Sequence, residues 1–262
     1  MLVAISRSGT TTETVKAVEK FKAEDLGDVL VISNYDEALS GLADVDIVIP
    51  KGQEESVAQT RSFASMYVAA TAFAARMADR NDLLDDMSSL PEIGERLLRD
   101  FEPAARQIGA NLAFDRFYFL GSGIRYGLAC EANLKMKEMA LCFSEPFHFL
   151  EFRHGPMSMV DEHTLLVGCV SEEAHRQETA VLRQMQQRGA QILALTESDY
   201  SAELPAPINV VRLASNLPTW ARPVVYLPIL QLMAYYHALA RGQNPDQPAN
   251  LDFVISLDES MT

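Results

Sequence analysis

Apolar and polar positions divide the chain into short apolar runs and longer stretches in which apolar residues return every three to four positions. Runs at Leu2–Ile5, Asp28–Ile32 and Asp46–Ile49 predict strands, and Thr12–Phe21 predicts an amphipathic helix between the first two. A long apolar helix is expected from about Glu54 to Met77, followed by a charged helical connector from about Asn81 to Gly109.

The same order returns further along. Strand Leu165–Val170, helix Ala174–Gln187, strands Gln191–Leu195 and Ile208–Val211, and a long helix Trp220–Ala240 repeat the first series at an offset of roughly 160 residues, the mark of a duplicated α/β unit. The second copy is preceded by a strand, Arg116–Leu120, a Gly-rich turn and a helix, Tyr126–Cys142, for which the first copy has no counterpart. The first copy is therefore expected to be shortened at its N-terminus by about one βαβ element, leaving a sheet edge to be covered. The expected organisation is a first subdomain over 1–80, a helical connector over 81–110, a second subdomain over 111–245 and a tail over 246–262 packing near the active site.

With 48% hydrophobic and 22% charged residues, the 262-residue chain has ample material for packed cores. The formal charge of −14 repels polyanions, which argues against nucleic acid as a partner. A single phosphate is still permitted, because backbone N–H groups bind one locally. No apolar run approaches the roughly 20 residues of a membrane span, and MLVAISRSGT does not read as a leader. The expectation is a cytoplasmic protein with no membrane partner. Cys130, Cys142 and Cys169 lie in apolar segments without CxxC spacing and are expected to be free thiols.

Two stretches carry candidate chemistry. Ser6-Arg7-Ser8-Gly9-Thr10-Thr11 leaves a strand and enters a helix, so hydroxyls, backbone N–H groups and the helix dipole could converge on one phosphate. On spacing alone it is equally a Ser/Thr-rich helix cap with no ligand. The second stretch is EANLKMKEMALCFSEPFHFLEFRHGP, Glu131–Pro156. Glu131, Lys135 and Glu138 fall at i, i+4 and i+7 on one helix face, which by spacing alone reads as a solvated salt-bridge row. Glu138, however, is flanked by Met136, Met139 and Leu141, an apolar setting in which a carboxylate is poised to act as a general base. His154 precedes Gly155-Pro156, a turn that would fix its imidazole on a loop. His148, His163, His175 and His237 lack such a setting and read as structural or solvent-facing.

These residues resemble the sugar isomerase (SIS) class of phosphosugar proteins. The Ser6–Thr11 segment resembles the SxSGxT phosphate loop of SIS domains, and LKMKE followed by EFRHGP resembles the second SIS domain in the isomerase half of glucosamine-6-phosphate synthase. DQPANL, Asp246–Leu251, looks like the family's DQPxNL tail. The resemblance implies an α/β fold of three α/β/α layers, with two flavodoxin-like SIS subdomains built on parallel sheets. It also implies a homodimer with active sites near the subunit interface, and no metal or organic cofactor. In the family the loop matching Ser6, Arg7, Ser8 and Thr11 holds phosphate. The residues matching Glu54 and Ala58 in GQEESVAQT line the sugar site. The glutamate matching Glu138, with Lys135 beside it, moves a proton between C1 and C2, and the histidine matching His154, usually donated by the neighbouring subunit, assists ring opening.

Two departures direct the functional expectation. No glutaminase segment with an N-terminal cysteine nucleophile is seen, and the tail lysine with which the synthase forms a Schiff base is matched by Phe253. What remains resembles stand-alone glucosamine-6-phosphate deaminases and fructosamine-6-phosphate deglycases. The expectation is an isomerase/deaminase of an amino sugar phosphate, the alternatives being a deglycase or a non-catalytic phosphosugar-binding protein.

Overall fold

The computed structural model describes residues 1–249 and 251. The chain forms two compact units, Met1–Leu84 and Asp85–Ala249. Both are α/β with parallel sheets, the class expected from the sequence.

In the first unit β1 (Leu2–Ser6), β2 (Val29–Ser33) and β3 (Val45–Val48) pair in the order β1-β2-β3. The central strand, VLVIS, is buried along its whole length, which is why its sequence is an unbroken apolar run rather than an alternation. Its alternate residues serve opposite faces. Val29 and Val31 pack with Val18 of α1 (Thr12–Ala23) and Leu39 of α2 (Ala38–Leu42), while Leu30 and Ile32 pack with Met66 of α3 (Arg61–Met77). Among the described residues β1 pairs only with β2, and Val3 and Ile5 are exposed.

The helix expected from Glu54 starts seven residues later, at Arg61. The Glu54 carboxylate accepts the backbone N–H groups of Thr60, Arg61 and Ser62, which would otherwise be unsatisfied at the start of α3, so residues 54–60 fold back as a loop to reach them.

In the second unit α4 (Asn81–Met87) crosses the boundary and α5 (Leu90–Gly109) follows. The helical stretch expected over 81–110 holds α4 and α5, and α5 packs along α9 (Leu227–Ala240). Gly109 permits the close approach: a Cβ there would stand 2.5 Å from the Met233 carbonyl oxygen. The sheet runs β5-β4-β6-β7-β8, formed by β4 (Arg116–Gly121), β5 (Ser144–Phe147), β6 (Thr164–Cys169), β7 (Gln191–Thr196) and β8 (Asn209–Arg212). Helix α6 (Ile124–Ala140) links β4 to β5, and α7 (Phe149–Phe152) and α8 (His175–Gln186) follow β5 and β6.

Alternation along β4 assigns the helices to faces. Tyr118 and Leu120 point into a core shared with Phe149 and Phe152 of α7 and with Leu182 and Met185 of α8. Phe117 meets the His237 ring of α9 edge-on at 4.9 Å, and α6 packs on α9, so α5, α6 and α9 cover the opposite face.

The stretch expected as one helix from Trp220 begins as a 3-10 turn, Arg222–Tyr226, because Pro223 and Pro228 withhold backbone N–H groups. Against the expectation that no apolar run approaches a membrane span, Arg222–Ala240 is by length and composition apolar enough to cross a bilayer; 61% of its apolar window is buried inside the structure. The three cysteines are free, with Cys142 and Cys169 buried. Asn250 and Phe253 lie outside the described residues, as does nearly all of the expected tail after Ala249.

Candidate functional site

In the first unit the β1–α1 turn gathers hydroxyls. The Ser6 hydroxyl accepts the Gly9 N–H at 3.2 Å and lies 3.5 Å from the Thr11 hydroxyl, and the Ser8 hydroxyl accepts from the Thr10 N–H at 3.2 Å and the Thr10 hydroxyl at 3.0 Å. Gly9 takes a left-handed φ of +69°, which a side chain would strain, and this bends the chain between strand and helix. No side chain caps α1 at Thr11, so its first N–H groups are not claimed by the cap residue. Backbone and side-chain donors therefore share the turn with the positive end of a helix, an arrangement suited to an oxyanion.

Arg7 is buried and takes another direction. Its Nη1 donates to the carbonyl oxygens of Ser56 and Val57 at 3.1 and 2.8 Å, tying the turn to the loop that carries Glu54 and Ala58. Ala58 is fully buried, and its carbonyl oxygen accepts the Ser56 hydroxyl at 3.0 Å. Glu54 is engaged by α3: besides the three amides it accepts the hydroxyls of Thr60 and Ser62. Burial pushes its carboxyl up, but the hydroxyls of Ser62 and Thr60 and their amides outweigh this and hold it below the ordinary carboxylate range. Asn34, missed in the sequence, completes the scaffold. Its amide N–H donates to the Arg7 carbonyl at 3.1 Å, its side chain donates to Ile49 O and Ser65 Oγ, and its carbonyl accepts from Gln53.

In the second unit the face of α6 expected as a solvated row is a buried ion cluster. Lys135 is 1% exposed and Glu131 7%. The ammonium stands 3.6 Å from Glu131 Oε1 and 2.5 Å from Glu138 Oε2. Glu138, the outermost of the three, is partly open to solvent. Its closest partner is thus a buried cation, where the sequence had suggested apolar side chains. A carboxylate held by such a neighbour and open on one side can receive and return a proton without changing place.

His154 is exposed on the turn after α7, its N–H bonded to Glu151 O at 2.8 Å, with Gly155 at φ +128°. It follows α7, which packs on the face of the sheet that carries Tyr118 and Leu120, whereas Glu138 belongs to α6, which packs with α9 on the other face. The remaining histidines have structural partners. His237 is bonded to Gly109 O at 2.7 Å, His163 to Ala113 O at 3.1 Å and His175 to Glu172 O at 2.9 Å, and His148 stacks on Tyr126.

Comparison with known proteins agrees with this architecture. The SIS domain family matches residues 1–76 and 114–241. The isomerizing glutamine–fructose-6-phosphate aminotransferase of Aeropyrum pernix is 29% identical over 98% of this chain, which spans 43% of that protein's length. The C-terminal domain of the Francisella tularensis glucosamine-fructose-6-phosphate aminotransferase superposes with a TM-score of 0.83 at 27% identity, covering 94% of this chain and 73% of that one. A Thermotoga maritima glucosamine-6-phosphate deaminase does so with a TM-score of 0.77 at 25% identity, covering 97% and 75%. With the match running through both halves of the duplication, including the hydroxyl turn and the α6 ion cluster, the chain belongs to the SIS domain family.

Proposed function

We propose that the chain is an aldose–ketose isomerase/deaminase acting on an amino sugar phosphate such as glucosamine 6-phosphate. The observation that carries this reading is the buried Lys135 ammonium holding Glu138 at the solvent-facing end of the ion cluster. The phosphate binds the Ser6, Ser8 and Thr11 turn, and Arg7 fixes that turn against the Glu54–Ala58 loop. His154 assists opening of the ring to the aldehyde. Glu138 removes the C2 proton, giving an enol-amine, and returns a proton to C1, which leaves a ketimine at C2. Water adds to that carbon, ammonia departs and fructose 6-phosphate remains. An isomerase without deamination would share the same proton transfer.

The working form is a homodimer in the cytoplasm. The placement of Glu138 on α6 and of His154 on the turn after α7, elements packed on opposite faces of the sheet, is in keeping with a His154 supplied by a second copy.

The test is incubation with glucosamine 6-phosphate, measuring ammonia and fructose 6-phosphate, with Glu138→Gln alongside. Ammonia release abolished by the substitution supports the deaminase. Turnover unchanged in Glu138→Gln rules out this base. A sugar phosphate that raises the melting temperature without reacting points to a binding protein instead.

A further inference from the structure

The turn from β6 to α8, residues 170–174, has the same length as the turn from β1 to α1, residues 7–11, and each leads into a helix of 12 residues. The offset is 163 residues, 170 against 7. At that offset Ser171 stands opposite Ser8, but Cys169, Glu172, Glu173 and Ala174 stand opposite Ser6, Gly9, Thr10 and Thr11. The donors of the first turn are largely gone. The one retained serine is used internally: its N–H donates to Glu178 Oε2 at 2.6 Å and its hydroxyl accepts the Ala174 N–H at 3.1 Å.

What replaces them is a clamp. Glu172 Oε2 accepts from Arg125 Nη2 at 2.6 Å, and Glu172 Oε1 accepts from Arg222 Nη1. Arg125 comes from the second residue of α6, and Arg222 from the start of the 3-10 turn before α9. Their side chains are 4% and 7% exposed, against 29% for Glu172. Other groups facing the arginines are Glu173, 3.8 Å from Arg125, Glu197, 3.4 Å from Arg222, the Leu217 carbonyl on Arg222, and the Tyr226 hydroxyl, 3.5 Å from Arg125. Two buried guanidiniums converging on one half-open anion, at the carboxyl ends of parallel strands, form an oxyanion receptor.

We propose that Glu172 is the built-in occupant of an anion cradle in the second repeat, which shuts phosphomonoesters out of that turn. Given the reading of the Ser6–Thr11 turn above, on which this count rests, each chain takes one phosphorylated sugar. Vacating the carboxylate opens a phosphate-type site between Arg125 and Arg222.

Equilibrium dialysis against radiolabelled inorganic phosphate at fixed ionic strength counts the sites in the wild type, Glu172→Ser and Glu172→Gln. Glu172→Ser should bind one phosphate per chain more than the wild type, and adding Arg222→Met should remove it. Glu172→Gln, whose amide still fills the space, should bind no more than the wild type. An unchanged count in Glu172→Ser overturns the proposal. Because removing the carboxylate takes from two buried arginines the partner they share, yield and melting temperature of Glu172→Ser are also compared in phosphate and in chloride. Higher values in phosphate support the cradle, and equal values, including failure to fold in both, overturn it. A wild type that binds no phosphate tells against the first turn alone, since the difference between the variant and the wild type still reports on Glu172.

Discussion

Arg7 Nη1 lies 2.8 Å from the carbonyl oxygen of Val57, and this contact joins the hydroxyl turn to the loop ahead of α3. A charged donor shared between two carbonyls is worth roughly 1.5–3 kcal/mol, and the carbonyls lose their partner when it is removed. Arg7→Lys supplies a point charge without the guanidinium fork. The expected outcome is a KM for glucosamine 6-phosphate raised about tenfold with kcat within a factor of about three, measured by steady-state ammonia release.

Lys135, itself buried, stands between the buried Glu131 and the partly open Glu138. Lys135→Met keeps the shape and removes the charge, leaving Glu131 buried beside Glu138, which costs about 3–5 kcal/mol. Adding Glu131→Gln should recover most of that stability but none of the activity. Thermal melts of the two variants and their rates of ammonia release check both halves.

The duplication and the parallel α/β class were legible because each rests on local pattern. The central strands Val29–Ser33 and Thr164–Cys169 are unbroken apolar runs buried on both faces. The strand Ser144–Phe147 was missed because SEPF carries a proline and no alternation, which an edge strand tolerates. The start of α3 was misplaced because Glu54 looks like a helix residue until its carboxylate is seen to close the helix from outside. The burial of Lys135 was hidden, since spacing puts three charges on one face without saying what covers it. The Glu172 clamp was invisible because its arginines lie 47 and 50 residues away in sequence.

Glu54→Gln tests that closure. A glutamine has one accepting oxygen where the carboxylate has two, so about 1–2 kcal/mol should be lost at the start of α3. The native carboxyl sits below its ordinary value, so its contribution is fully present above an unfolded pKa of about 4.3 and disappears as pH falls through the lower, native value. Hydrogen exchange of the Thr60, Arg61 and Ser62 amides should be faster in the variant at neutral pH, after correction for intrinsic rates, with the difference closing in strong acid.

His237 sets a second pH dependence with its own window. Burial lowers its pKa, the Gly109 carbonyl opposes that by accepting from Nδ1, and Arg241 lowers it further, with a net shift below the ordinary 6.5. The unfolded chain therefore takes up a proton near the ordinary value, while the folded unit resists until lower pH. Stability is full above about pH 6.5 and declines as pH falls from there toward the native value. Asparagine can present an amide N–H close to the position of Nδ1 and does not titrate. His237→Asn should melt lower at pH 8, because it vacates space against Phe117. Between pH 7 and 5 its melting temperature should fall less steeply than that of the wild type, and parallel slopes would show that His237 is not the group being protonated.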